Sequence, residues 1–196
     1  MRDYSDDISA LFRPVSLPEL DAVALQSRFE TKYLFPESRL PELLPQLLPD
    51  YRILEIDGCR RFDYLTWYFD TADFRLYRDH HNGYARRMKI RQRRYEQSGD
   101  VYFEVKRKAS ELKTDKARFR IPGMQQSIAP GMYEGLAGSR LEAAPLEYKL
   151  SNRFRRITLC NQAMTERVTL DTGIVMDRDL AAHPRERRPG RRRRPW

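Results

Sequence analysis

The sequence predicts an α+β domain built on an antiparallel β-barrel with short flanking helices. Three observations lead there. Segments rich in β-branched and aromatic residues recur along the chain. The connections between them are mostly short and lack the strand–helix–strand rhythm of a parallel sheet. Within the segments charged and apolar residues alternate, the period of a half-buried strand. Closing such a sheet into a barrel is one way to finish its edges.

The elements follow in order. Residues 1–15 read as a polar lead. Ser16-Leu17-Pro18-Glu19 then places a capping hydroxyl and an early proline before Leu20, Val23, Ala24 and Leu25, which predicts a short helix. Residues 27–35 alternate and are aromatic-rich, predicting a strand. Leu40, Leu43, Leu44, Leu47 and Leu48 have helical spacing, while Pro41 and Pro45 make the helix over 36–48 short or kinked. Further strands are predicted at 51–56, 64–70, 85–95, 101–108, 117–121, 148–159 and 167–171. Glu96-Gln97-Ser98-Gly99-Asp100 reads as a hairpin turn, and a short helix over 72–81 is stopped by Asn82-Gly83. Residues 122–146, with Gly123, Pro130, Gly131, Gly135, Gly138 and Pro145, leave room for short helices at most. The domain is therefore expected over 16–178, followed by a disordered Arg/Pro-rich tail over 179–196.

Composition fits one globular domain. Hydrophobic residues make up 40% of the 196 residues and charged residues 33%, with 11 Tyr and 9 Phe. The formal net charge is +9, but 184–196 holds seven arginines and one acid, Glu186, so the body carries only +3. An anion site in the body must come from arrangement rather than bulk charge. The two cysteines, Cys59 and Cys160, have neither disulfide-framework nor zinc-ligand spacing, which fits a reducing cytoplasm. No window approaches the ~18–20 consecutive apolar residues of a membrane span.

Residues two apart in a strand share a face. Arg28, Glu30 and Lys32 share one. Lys89, Arg91 and Arg93 share another, with Met88, Ile90 and Gln92 opposite. Glu104 and Lys106 lie opposite Phe103 and Val105; Arg118 and Arg120 flank Phe119; Arg167, Thr169 and Asp171 lie opposite Val168 and Leu170. For a single strand a charged face is most simply a solvent face. Over all strands together Arg and Lys dominate with few acids among them, and like charges on adjacent strands repel unless a polyanion lies between. Turned inward, these faces would make a basic tunnel for a linear phosphate chain, each guanidinium fork taking phosphate oxygens in pairs. Glu30 and Glu104 would be the ligands for a hard divalent metal, Mg²⁺ or Mn²⁺. Glu30 reads equally well as a cross-strand partner of an arginine. Tyr33, Tyr68 and Phe69 read as core rather than base-stacking residues, Asp70 and Asp73 as strand-end and capping residues, and His80 and His81 as solvated residues at a helix end.

Arg28-Phe-Glu-Thr-Lys-Tyr33, Tyr68-Phe-Asp-Thr71, Lys89-Ile-Arg-Gln-Arg-Arg-Tyr95, Phe103-Glu-Val-Lys106, Arg153-Phe154 and Arg167-Val-Thr-Leu-Asp-Thr172 stand in the order of the VTC-domain motifs. Over roughly residues 16–175 the chain resembles that domain, the polyphosphate polymerase branch of the triphosphate tunnel metalloenzymes, or CYTH-like superfamily. The resemblance implies a triphosphate tunnel of antiparallel strands, a bound nucleoside triphosphate, a divalent metal, and transfer of the terminal phosphoryl group of ATP to a growing polyphosphate chain. It implies that Lys32, Arg91, Arg93 and Lys106 are catalytic, and that Arg28, Lys89, Lys116, Arg118, Arg153 and Arg167 hold substrate. Family members continue past the last motif into a further strand with a metal-ligating glutamate. This chain instead runs from Arg178-Asp179-Leu180 into the arginine tail. The expected barrel is therefore incompletely closed, and polymerase activity is expected to be weak or absent. Two other readings stand beside the phosphotransferase or triphosphatase: a non-catalytic polyphosphate-binding module, and a nucleic-acid or polyanion binder acting through the tail.

Overall fold

The computed structural model describes residues 8–22, 30–108, 114–129, 132–133, 136, 141 and 145–177. In chain order these form β1 (Arg13–Val15), α1 (Leu17–Ala22), a 3-10 turn (Glu37–Arg39) leading into α2 (Leu40–Leu47), β2 (Tyr51–Leu54), β3 (Phe62–Asp70), α3 (Arg75–His81), β4 (Arg87–Tyr95), β5 (Val101–Lys108), β6 (Thr114–Ile121), β7 (Ser127–Ile128), β8 (Leu146–Asn161) and β9 (Arg167–Asp177). Arg28 and the tail over 179–196 lie outside the described residues.

The strands make one sheet in the order β1-β2-β8-β3-β4-β5-β6, curled into an open half-barrel. β8, 16 residues long, is its spine. Leu159 lies opposite Ile53 on one side and Val168 on the other, and Arg156 lies opposite Phe62 and Asp171 in the same way. β2 and β3 therefore follow one another along one edge of β8, while β9 takes the other. β3-β4-β5-β6 form an antiparallel meander, with α3 in the β3–β4 connection. The β4–β5 hairpin turns at Gly99, whose φ of +71° is open to glycine at no steric cost.

The structure corrects four expectations. The sheet is not purely antiparallel: β1 pairs with β2 in parallel, because the long excursion through α1 and α2 returns the chain to the same end. The described part of the expected polar lead, residues 8–15, packs into the fold, since β1 lies in the sheet and Ile8, Phe12 and Val15 are buried. The described part of the expected strand over 27–35, residues 30–35, joins no ladder and leaves Tyr33 and Leu34 83% and 97% exposed. Alternation permits a strand, but a strand also needs a partner edge. β9 runs past 171 to Asp177 because Gly173, at φ +58°, absorbs a register shift opposite Arg153 and Arg155 rather than ending the strand.

One face of the sheet is apolar. Phe69, Met88, Ile90, Val101, Phe103, Val105 and Ile121 form its main core under Ile128, Leu136, Leu141 and Leu146. α2 packs Leu40 and Leu44 onto Ile157, Leu159 and Leu170, where Ile8 and Phe12 join it. α1 sits differently. Its Leu20 covers Val15, Leu54, Phe62 and Cys160, at one end of the other face. Ser16 and Glu19 cap it reciprocally: the Ser16 N–H donates to Glu19 Oε2 at 2.8 Å, and the Glu19 N–H donates to Ser16 Oγ at 3.4 Å. α3 is fixed to the end of β3 by Asp70, whose carboxylate accepts the Leu76 and Tyr77 N–H groups at 2.8 and 2.9 Å. Among the described residues no helix is long and apolar enough to cross a membrane.

Candidate functional site

The strand period of two, carried through the registers, decides which charged side chains share a face. Lys89, Lys106 and Lys116 lie side by side on β4, β5 and β6. The next row along the strands is Tyr68, Arg91, Glu104 and Arg118. The row after that is Asn152, Thr66, Arg93, Tyr102 and Arg120. On the β8–β9 side the same face carries Phe154 opposite Tyr64, Arg156 opposite Asp171, and Cys160 opposite Arg167. The apolar core residues occupy the alternate positions. Lys89, Arg91, Arg93, Glu104, Lys106, Lys116, Arg118 and Arg167 thus come onto one charged face, as the sequence pattern predicts.

Three expected residues are not on it as described. Arg153 pairs with Leu65 and Val175, which places it on the opposite face. Glu30 and Lys32 sit in the coil before α2 and pair with each other at 3.2 Å, both exposed. Arg156 takes the place expected for Arg153 and was missed because Arg153, Arg155 and Arg156 supply arginines of both parities. Only the register with β3 chooses between them.

At the centre is a stack of rings and guanidinium groups. Tyr64 and Phe154 stack at 5.1 Å and 13°. The Arg93 guanidinium carbon lies 5.3 and 5.6 Å from their ring centres, and that of Arg156 lies 5.6 and 5.1 Å from them. The two arginines differ in electrostatics. Arg156 gives both oxygens of Asp171 a hydrogen bond, at 2.6 and 2.7 Å. Burial works against its charge, but the Asp171 pair outweighs burial and raises its pKa. Arg93 is only 8% exposed, donates from Nε to Thr66 Oγ1 at 3.2 Å, and has no carboxylate at ion-pair distance among the described residues. Burial and then the neighbouring Arg91 charge lower its pKa, although a guanidinium stays protonated at any ordinary pH.

Glu104, with a side chain 16% exposed, is shared. Arg91 lies 2.5 Å from its Oε2, and Arg118 Nε lies 3.6 Å from Oε1. Arg118 also rides over the Tyr102 ring at 3.7 Å and donates to the Tyr95 hydroxyl at 3.0 Å. Glu104 therefore already serves two arginines. Among the described residues no three His, Cys, Asp or Glu come together in a way that could hold a metal. The described residues do not by themselves make such a site. Lys89 and Lys106, directly opposite one another, have no ion-pair partner among the described residues, and like charges so placed repel. The arrangement is suited to an extended anion lying along β4.

The family model of the VTC domain matches residues 27–195. No curated protein matches the chain.

Proposed function

Since the chain belongs to the VTC domain family of the tunnel-fold (CYTH-like) superfamily, we propose that its charged face binds the phosphate chain of a nucleoside triphosphate or of polyphosphate. The observation that carries this reading is Arg93. A guanidinium buried without a carboxylate, with Arg91 beside it, is costly in the free protein unless an anion completes it. Arg91 and Arg118, held in place by Glu104, can each turn a free N–H edge to phosphate. Lys89, Lys106, Lys116 and Arg167 extend the basic face at either end. Lys32 and Arg28 enter the proposal through the family motif alone.

We propose further that the bound ATP gives its terminal phosphoryl group to a phosphate oxygen at the end of the chain. The bond from the terminal phosphorus to the bridging oxygen breaks, a new phosphorus–oxygen bond forms, and ADP leaves with the electron pair. Such transfer asks of the protein mainly alignment and charge stabilisation, which arginines on rigid strands can supply. A divalent cation belongs to this reading as a companion of the phosphates.

The test is to incubate the full chain with ATP and Mn²⁺ and to follow chain growth and phosphate release, for the wild type and for Arg91→Ala/Arg93→Ala. Chain growth that the double variant loses supports transfer, and free phosphate alone indicates a hydrolase. Tripolyphosphate binding without turnover leaves a phosphate-chain binding module. Failure of the wild type to bind either ATP or tripolyphosphate would sink the reading altogether.

A further inference from the structure

α3 stands at the end of the charged face where the lysine row lies. Phe69 of β3 is opposite Ile90 of β4, so the end of β3 to which Asp70 ties the helix is the end at which Lys89 begins its row. Leu76 is buried in the main core with Met88 and Ile90, which fixes how the helix is turned. His80, one turn further on, lies in the field of Lys89, Arg87 and Lys106; burial first, then these charges, lower its pKa. The Tyr77 N–H is bound by Asp70 at 2.9 Å, and Asp70 follows the Phe69–Ile90 pair, so this part of α3 stands beside the Lys89 end of the face.

Around His80 the helix presents aromatic rings that join no core cluster. Tyr77, three residues earlier, is 62% exposed and stacks on His81 at 5.8 Å and 17°. Phe74, at the helix start, is 48% exposed and has Lys149 Nζ 4.9 Å above its ring centre. Tyr84, just past the helix, is 56% exposed. Three large exposed rings within eleven residues are more than scattered surface apolarity. Asp70 and Leu76 anchor the helix under the Tyr77–His81 stack, so this pair forms a small platform without having to be ordered by a ligand.

An exposed stacked pair of rings beside a row of lysines matches a ligand with a planar base at one end and phosphates at the other. We propose that α3 carries a nucleobase subsite, in which Tyr77, backed by His81, stacks the base of a nucleoside triphosphate whose phosphates enter the charged face at Lys89 and Lys106. Stacking tolerates any base, because every base has a π-face, so this subsite distinguishes nucleotides from bare phosphate chains rather than one nucleotide from another. The inference deepens the reading of the charged face and rests on it.

The test compares ATP with inorganic tripolyphosphate, by isothermal titration of the full chain, in the wild type, Tyr77→Ala and Tyr77→Phe. Tyr77 is exposed, so circular dichroism of each variant is expected to match the wild type. Tyr77→Ala is expected to weaken ATP by about tenfold and leave tripolyphosphate unchanged, and Tyr77→Phe to restore ATP binding. Unchanged ATP binding, or equal losses for both ligands, would overturn the platform while leaving the phosphate face intact. A single-stranded oligonucleotide that displaces ATP and loses the same factor in Tyr77→Ala would overturn it too, by making the platform a nucleic-acid surface. Failure of tripolyphosphate to bind the wild type would remove both readings at once.

Discussion

Arg91 and Glu104 face each other across β4 and β5, with guanidinium and carboxylate 2.5 Å apart, and the second carboxylate oxygen lies 3.6 Å from Arg118. One acid thus holds two arginines in position on the charged face and sets how strongly they repel each other and Arg93. Glu104→Gln removes the charge and keeps the shape. The variant is expected to lose about 1–3 kcal/mol of stability in urea melts, because a partly buried ion pair loses one member. It is also expected to bind tripolyphosphate more tightly than the wild type. Weaker binding would mean that Glu104 serves the ligand rather than the arginines.

Arg93→Met separates stability from function. The buried guanidinium has no carboxylate, so a methionine of similar length is expected to leave the melting temperature unchanged or raise it. Tripolyphosphate affinity is expected to fall by about tenfold or more, the loss of charge-assisted hydrogen bonds worth about 1.5–3 kcal/mol. A variant that melts early yet binds normally would remove Arg93 from the site.

Arg153→Ala and Arg156→Ala are predicted to differ. Arg153 lies on the face of Leu65, so its removal is expected to leave phosphate binding unchanged. Arg156 lies against Tyr64, Phe154 and Asp171, and its removal is expected to weaken binding and to destabilise the fold by leaving Asp171 without its pair. Paired titration and melting of the two variants check the face assignment; the reverse pattern would contradict it.

Chelation gives a separate check. Lys89, Arg91, Arg93, Lys106 and Arg118 can hold phosphate without a metal cage, so tripolyphosphate is expected to bind in excess EDTA. That binding is expected to weaken steeply with added salt, as screening demands. Loss of all binding on chelation would mean that a metal, not the basic face, is the main contact.

His80 links pH to stability. Its folded pKa lies below its ordinary value through burial and the charges of Lys89, Arg87 and Lys106. Below about pH 6.5, the ordinary histidine value, the unfolded chain takes up a proton that the folded chain resists. Folding stability from this group is therefore intact above that pH and declines as pH falls through it. Melting curves between pH 5 and 8, near the unperturbed value, are expected to show this slope in the wild type and a shallower one in His80→Gln. Bound tripolyphosphate is expected to raise the His80 pKa, read by NMR titration, because it neutralises the nearby lysines.

Strand-by-strand, the amino-acid sequence determined much of this protein. The alternation in 85–95 and 101–108 placed Lys89, Arg91, Arg93, Glu104 and Lys106 opposite the core residues Ile90, Phe103 and Val105, because side-chain period is a local property of an extended backbone. Capping at Ser16 and Glu19 and the turn at Gly99 were legible for the same reason. What only the tertiary structure decided was pairing. Register between β3 and β8 put Arg156 rather than Arg153 on the charged face, and pairing left residues 30–35 outside the sheet although their pattern suits a strand. Pairing of β3 with β4 also put α3, tied to the end of β3 by Asp70, beside the lysine row. A chain segment carries its own periodicity, but which edge it meets, and in which register, depends on contacts many residues away.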